Sequence, residues 1–271
     1  MTEIIISDKR TYILPGIWNE LTEAQLTANA EDILLYATLT TNADKFYLKT
    51  KIAFNLCGLQ FNENSEFLIN EIQTKLLPCI EWLFLDNQLT EQLIPKVRIR
   101  KGFLLHGLCG PSSNFNNLSF EEFDDAEFFF ARLSTADVKA QEEALNMLCA
   151  ILYREHSDAK KGDNRIDYSP HDNEKRAEWF AHCEMKTKLA IMLWYIGCRT
   201  RLTTDFAPLF ESKSDKGGST TWTEIAHSIA GPVLGDLDKV FKRPVRQIFV
   251  EMMRLHLQGE ELKEREEANK V

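Results

Sequence analysis

Apolar residues recur at helical spacing along most of this chain, and two nine-residue segments with the same order of residue types mark the starts of helices. Residues 18–26 and residues 115–123 both run aromatic, Asn, polar, Leu, hydroxyl, two further residues, amide or acid, apolar. Thr22 and Ser119 are the predicted N-caps, because a side-chain oxygen there can accept a hydrogen bond from an unpaired N–H of the first turn. Gln or Glu three residues later completes a capping box. A third box is predicted at residues 221–224.

The apolar periodicity predicts a mainly helical chain. Residues three or four apart share one face of a helix, and runs of them that end at Gly, Pro or polar residues indicate separate helices. The predicted helices cover about residues 26–37, 46–57, 67–76, 79–85, 120–133, 138–152, 179–196, 222–230 and 244–257. The helix that ends near Ile196 becomes apolar on all sides, so we expect its end to lie in the core.

Short apolar runs at residues 4–6 and 12–14 predict an N-terminal hairpin or extended arm. Residues 86–117 contain several Gly and Pro, and the alternation from Lys96 to Arg100 indicates a small β-element near residues 96–105.

Two polar segments follow in the second half of the chain. Residues 154–173 predict a long exposed loop, of the kind that often carries function. Residues 211–220, which are rich in Gly and Ser, are typical of a flexible linker.

The predicted fold class is all-α: a multi-helix, bundle-like body with the N-terminal hairpin or arm and the small β-element. Residues 1–88 are the predicted N-terminal helical region, and residues 89–257 are a larger helical region that could be continuous with the first. Residues 258–271 are a charged C-terminal tail, either solvated helix or disorder. An old duplication and convergent capping chemistry would both explain the two repeated segments.

Charge argues against two classes of partner. The chain has 41 acidic against 32 basic residues, a formal net charge of −9, whereas a surface that mainly binds nucleic acid or anionic membrane needs a clustered positive field. A local basic patch is still compatible with this balance. The longest apolar run, residues 189–196, is far shorter than the roughly 20 residues of a membrane span, and the N-terminus has no apolar segment typical of a signal peptide. We therefore expect no membrane partner and a soluble, cytoplasmic protein.

Six cysteines are scattered without the CxxC spacing of metal or redox sites. Most lie in apolar helical surroundings, so we expect reduced thiols in the core of a cytosolic protein. They are Cys57, Cys79, Cys109, Cys149, Cys183 and Cys198.

No metal or cofactor is predicted. Zinc needs three or four converging nitrogen or sulfur donors. The one local cluster, His182 and Cys183 with Cys198 or His171, contains neighbours that would point about 100° apart on a helix.

Two loops contain oxygen or backbone groups that could hold an ion. Asp163, Asn164 and Asp167 lack the alternating spacing of a calcium loop, and a solvated turn is the simpler interpretation. Residues 107–113 contain Gly and Ser that could cradle an anion, but the segment lacks the Lys-Ser/Thr ending of a phosphate loop. We interpret it as a turn.

No catalytic residue is predicted, because the chain contains no GxSxG motif or comparable cysteine signature. A cluster of acids would suit a carboxylate catalyst or a pair of metal ions, but part of it lies in a first helical turn, where acids stabilise the helix dipole. We interpret these acids as capping and surface residues. They are Glu121, Glu122, Asp124, Asp125 and Glu127.

The alternating residues Lys96, Arg98 and Arg100 form one face of the predicted β-element. This face could grip a phosphate backbone or an acidic partner strand. The simpler alternative is that the charges guard a strand edge against aggregation.

A resemblance to a known family lies in residues 14–22, in residues 118–123 together with 150–154, and in residues 222–235. These segments resemble helical proteins encoded among the tail genes of Bacteroidota phages and prophages, some of which are supposed to be tail-assembly chaperones or tail-region components. The resemblance spans most of the chain in order. It implies a helical fold, a phage or prophage setting, and tail or other virion proteins as partners, but it assigns no functional residue.

The expected function is therefore non-enzymatic protein binding in phage tail or virion assembly, in the cytoplasm of the bacterial host. An apolar groove, reinforced by the acidic C-terminal helix, would shield an aggregation-prone tail partner. One alternative is a permanent structural component of the virion. Another is a nucleic-acid-binding regulator or an enzyme that uses residues 95–115 and the polar loop.

Overall fold

In the computed structural model, which describes residues 1–5, 11–59, 72–134, 137–158, 162–211, 222–230 and 235–269, the first two predicted capping boxes are formed. The Thr22 hydroxyl accepts from the N–H of Gln25 at 3.2 Å, and the Gln25 side chain accepts from the N–H of Thr22 at 3.0 Å. Ser119 and Glu122 make the same two bonds at 3.2 and 3.0 Å. These two predictions are confirmed. Thr221 of the third box lies outside the described residues.

The described chain is mainly helical, as predicted, and contains a small three-stranded sheet. The strands are β1 (Thr2–Ile5), β2 (Thr11–Leu14), β3 (Lys96–Lys101), β4 (Leu104–Cys109) and β5 (Arg154–Glu155). The α-helices are α1 (Glu23–Tyr36), α2 (Asn42–Leu56), α3 (Phe120–Arg132), α4 (Val138–Leu152), α5 (Asn173–Phe180), α6 (Met185–Asp205), α7 (Ala207–Glu211), α8 (Trp222–Ile229), α9 (Leu237–Lys242) and α10 (Val245–Ala268). A π-helical turn, Ile72–Leu76, and a 3-10 helix, Leu77–Phe84, precede β3.

The chain packs as two units. The first contains Met1–Ile94 and Cys183–Cys198, and the second contains Pro95–His182 and Arg199–Val271. Helix α6 is divided between them after Cys198. The sequence pattern instead assigns residues 183–198 to the larger helical region, and its domain boundaries stay predictions.

In the first unit, α6 lies against the segment that precedes β3. The side-chain amide of Asn87 donates to the carbonyl of Leu193 at 2.8 Å. At Gly197 the backbones approach so closely that a Cβ atom would lie 2.2 Å from the carbonyl oxygen of Leu89. This contact requires glycine at position 197.

Strands β1 and β2 pair antiparallel, with Thr2 opposite Leu14 and Ile5 opposite Thr11. The residues that connect them lie outside the described part of the chain, so the N-terminal hairpin itself stays a prediction.

In the second unit, the Phe-rich helix α3 meets α8 and α10 in an aromatic core. The ring centroid of Phe123 lies 5.3 Å from that of Trp222 and 5.8 Å from that of Phe249. Edge-to-face pairs of this kind stabilise a core beyond the area that they bury. In the adjoining sheet the strand order is β3-β4-β5 with antiparallel pairing, which confirms the small β-element.

Two predicted helices were wrong in detail. The helix predicted over residues 179–196 is divided, because α5 ends at Phe180 and α6 begins at Met185. The segment from Leu77 is a 3-10 rather than an α-helix, with Pro78 in its first turn.

Helix α10 continues to Ala268, so most of the charged C-terminal segment is solvated helix, one of the two alternatives left open. No helix in the described ranges is long and apolar enough to cross a membrane.

Candidate functional site

The β3–β4 hairpin contains the alternating basic residues singled out in the sequence. Lys101 pairs with Leu104, so Gly102 and Phe103 form a two-residue loop. Gly102 has a φ of 61°. The first loop position of a type II′ hairpin turn requires a positive φ, which would strain any residue that has a side chain. This turn sets the register of the whole hairpin.

The register decides which backbone groups of β3 are left unpaired by β4. Hydrogen-bonded pairs alternate with non-bonded pairs in an antiparallel ladder. The two-residue turn makes Lys101 and Leu104 a hydrogen-bonded pair. Every second pair from there along the ladder is also hydrogen-bonded, and the bond from Gly110 N–H to the Pro95 carbonyl at 3.0 Å fits this alternation. The N–H and C=O groups of Lys96, Arg98 and Arg100 therefore point away from β4, toward the outer edge of the described sheet.

Side chains on the two faces of β3 have opposite surroundings. Val97 and Ile99 are buried, at 5% and 1% exposure, whereas Lys96, Arg98 and Arg100 are exposed. We call these three residues the basic face. The structure places them together, as the period-two pattern predicts.

The inner face of the hairpin is held against α5. The ring of His106 stacks on Trp179, with centroids 4.0 Å apart, and Lys101 Nζ lies 2.9 Å from the carboxylate of Glu178. These contacts fix the hairpin to a helix of its own unit.

The end of the hairpin exposes three consecutive apolar residues. Phe103 is 108% exposed, Leu104 is 66% exposed and Leu105 is 60% exposed. We call them the apolar tip. Leu105 pairs with Arg100 in the register, so its side chain lies on the basic face, whereas Leu104 pairs with Lys101 and lies on the opposite face. Sequence periodicity gave no sign of this exposure, because apolar residues in a strand are normally expected to pack inward.

The polar segment 154–173 is exposed at several of its described residues, as predicted, but it also contributes three buried side chains to a polar network. Arg154, Arg165 and Asn173 are 2%, 0% and 3% exposed. The prediction missed these three buried residues because polar composition says nothing about distant partners: buried charges are tolerated when they are paired and hydrogen-bonded.

Arg165 is the centre of this network. One Nη donates to Glu122 Oε1 at 2.9 Å and to the Leu152 carbonyl at 3.0 Å, and the other donates to the Asn117 carbonyl at 3.0 Å. Its Nε donates to Asp163 at 2.9 Å. Burial opposes the charge, but the two carboxylates outweigh it and raise the pKa of Arg165.

Arg154 approaches the same two carboxylates. Its Nη2 lies 3.0 Å from Glu122 and 3.5 Å from Asp163. Burial, together with the charges of Arg165 and Arg176, lowers its pKa despite the attraction of Glu122. The positive charges are therefore crowded, and Glu122 and Asp163 each pair with both Arg154 and Arg165.

Beside this network, a polar cleft of about 320 Å³ is lined by nine residues. They are Asn117, Ser119, Glu121, Glu122, Arg154, Asp163, Asp167, Tyr168 and Lys242. Both charge signs face the cleft, so it has no clear preference for an anion or a cation.

The acids of the predicted cluster 121–127 have separate roles. Glu122 caps α3, as predicted, but it is 2% exposed and is not a surface residue. Asp125 accepts a hydrogen bond from the Tyr168 hydroxyl, and burial raises the pKa of both groups. Glu127 pairs with Arg199 at 2.8 Å. These side chains are used in packing and pairing rather than gathered around one point.

Among the residues that the structure describes, no three His, Cys, Asp or Glu side chains converge as a metal site. All six cysteines are thiols rather than disulfides. Cys109, Cys149 and Cys198 are buried. Burial raises the pKa of Cys57 to about 11 and that of Cys183 to about 11, which suppresses the reactive thiolate.

Comparison with protein-family models, curated proteins and solved structures found no match.

Proposed function

We propose that this protein is a non-enzymatic protein-binding factor of phage tail or virion assembly, and that it holds its partner at the apolar tip. The observation that carries the proposal is the full exposure of Phe103 beside Leu104 and Leu105, on a hairpin whose base is packed. Apolar side chains exposed close together are unfavourable in water and are typical of interaction sites. A partner that covers the tip removes this surface from water.

The rigidity of the hairpin supports the same proposal. The stacking of His106 on Trp179 and the pairing of Lys101 with Glu178 hold the tip in place before a partner arrives. A prearranged surface loses less conformational freedom on binding, so more of the contact energy appears as affinity. Aromatic anchors of this kind often dominate binding energy.

The phage setting comes from the resemblance of the capping and core segments to tail-region proteins. In that setting the partner is a tail or other virion protein in the host cytoplasm, and the protein shields its aggregation-prone surface. The projecting tip would carry out this task in place of the expected apolar groove. The exposed apolar residues Leu255 and Leu262 lie seven positions apart on one face of α10 and offer a second contact for a helical partner.

The test is quantitative mass spectrometry of the tagged protein, captured from its native producing cells and sought in purified particles. The variant F103S/L104S/L105S should lose tail proteins at least tenfold relative to wild type. Ser suits the second loop position of a Gly-X turn, so the hairpin should still form. The matched control is F128S/V138S, which removes two exposed apolar side chains elsewhere in the second unit.

Equal partner capture by wild type and the tip variant would refute the proposal. Enrichment in lysate with absence from particles would identify an assembly chaperone, whereas a fixed copy number in particles would identify a structural virion component.

A further inference from the structure

We propose that the partner supplies an extended acidic segment, which adds as a fourth strand to the outer edge of β3. This inference rests on the proposed function and names the chemistry of the partner at the same hairpin. It follows from three features of β3: an unpaired backbone edge, a basic face and the adjoining apolar tip.

The backbone edge supplies the first requirement. In the described sheet β3 pairs with β4 alone, and the register directs the N–H and C=O groups of Lys96, Arg98 and Arg100 outward. Three outward residues at alternating positions are the template to which an extended peptide adds.

The side chains supply selectivity. Residues on an added strand would lie about 5 Å from their cross-strand neighbours, and opposite charges in such pairs stabilise a sheet. Lys96, Arg98 and Arg100 share one face, so acids at alternating positions of the incoming segment would meet all three. The chain has a formal net charge of −9, so the positive strand β3 differs in charge from the protein as a whole. An acidic segment would be attracted to this strand and oriented along it.

The apolar tip distinguishes this interpretation from simple protection of an edge. Charged residues alone can keep a strand edge from aggregating. An edge that only needed protection would gain nothing from Phe103, Leu104 and Leu105 exposed at its end. A partner that pairs with β3 and continues over the turn on the basic face would cover Phe103 and Leu105.

The direct test uses the full-length protein and an acetylated peptide, Glu-Val-Glu-Thr-Glu-Val-Glu-Thr, with the Glu residues replaced by Lys as the control peptide. Amide hydrogen exchange would be followed by NMR. Binding should slow exchange of the outward amides of Lys96, Arg98 and Arg100 at least tenfold. The amides of Val97 and Ile99 already face β4 and should change little. Unchanged exchange at the outward amides under saturating peptide would overturn the inference.

Two substitutions separate strand addition from charge attraction. Arg98→Ala removes the charge but keeps the outward N–H, whereas Arg98→Pro removes both and leaves the bonds to β4 intact. We expect R98P to bind the acidic peptide roughly tenfold more weakly than R98A, since it loses a ladder hydrogen bond and blocks the edge. Equal affinities would overturn strand addition.

Other occupants give different results. A single-stranded DNA 20-mer that binds more tightly than the peptide, equally well to R98A and R98P, would make the strand a nucleic-acid surface and refute the inference. A concentration-dependent dimer abolished by R98P would place a second copy at this edge and would also refute it. If the peptide fails to bind while the tip variant still loses its native partner, strand addition fails and the proposed function stands.

Discussion

The two carboxylate oxygens of Glu122 have different partners. Oε2 accepts from the backbone N–H of Ser119 at 3.0 Å and closes the capping box, while Oε1 accepts from Arg165 at 2.9 Å. One side chain thus links the start of a helix to a buried guanidinium 43 positions along the chain.

Glu122→Gln should strongly destabilise the protein. Gln still suits a capping box, but the change leaves Arg165 and Arg154 with one buried carboxylate fewer. Removing one partner of a buried ion pair costs about 3 kcal/mol or more, which chemical denaturation would measure as a lower free energy of unfolding. Glu121→Gln, the neighbouring substitution, is the control and should not lower the free energy of unfolding. A loss below about 1 kcal/mol for E122Q would show that the network does not depend on this charge.

Glu121 should make the protein less stable as pH rises. Burial, followed by repulsion from Asp125, raises its pKa in the folded state. The folded state therefore binds the proton more tightly than the unfolded state. The resulting stabilisation is complete below the unfolded pKa and is lost as pH rises through the folded value. As pH rises above about 4, the ordinary range of a Glu carboxyl, the unfolding free energy of E121Q minus that of wild type should increase. A constant difference would contradict the assignment.

Cys57 should react slowly with alkylating reagents. A pKa of about 11 leaves little thiolate at pH 8, so carbamidomethylation should be on the order of a hundredfold slower than for an ordinary thiol. Peptide mass spectrometry of iodoacetamide-treated protein would measure the rate, with urea-unfolded protein as the reference. Equal rates in the two states would contradict the burial of this thiol.

At the scale of elements, two helical glycines offer a matched comparison. Gly197 in α6 has the Leu89 backbone 2.2 Å from where a Cβ would lie, whereas Gly259 in α10 has nothing within 4 Å. We expect Gly197→Ala to destabilise the protein by about 3 kcal/mol, as overpacking against backbone does. Gly259→Ala should be neutral or stabilising by up to about 1 kcal/mol. Thermal unfolding of both variants would check this, and similar melting temperatures would contradict the close packing of α6.

Local chemistry explains which elements could be predicted. The caps at Thr22 and Ser119 depend on residues three positions away, so the sequence contains the whole signal. The division between α5 and α6 was missed because apolar spacing continues through Trp179, Phe180 and Cys183 although the backbone changes direction. Periodicity records which side chains are buried, not whether the helix between them is continuous.

The residues of the candidate site also show which features a local sequence pattern can and cannot predict. Alternation located the basic face from sequence, and the structure places these residues on one strand. The burial of Arg165 could not be predicted, because its partner Glu122 lies far away in sequence. The exposure of Phe103 depends on the turn at Gly102 and on the packing of the hairpin base, neither of which a local pattern encodes.

At the scale of the whole molecule, a basic strand on an acidic protein predicts salt-sensitive partner binding. Screening acts over about 10 Å at 0.1 M salt, so the native complex should weaken roughly tenfold between 50 and 300 mM NaCl. The double variant K96Q/R100Q should bind more weakly at low salt and show a smaller salt dependence. Binding measurements across salt concentrations would test this, with Lys139→Gln, an exposed lysine on α4, as the control. Parallel salt dependence in wild type and K96Q/R100Q would exclude a role for the basic face.

The division of α6 between two units has a consequence during synthesis. The first unit needs Cys183–Cys198, including Gly197 against Leu89, yet its other residues end at Ile94. A ribosome adding 5–20 residues per second needs about 5 to 20 seconds to reach this helix after Ile94 has been made. During that interval the nascent N-terminal segment is without the helix that Asn87 and Leu89 pack against. Early folding of this chain is therefore exposed to chaperones and proteases until the ribosome has passed residue 198.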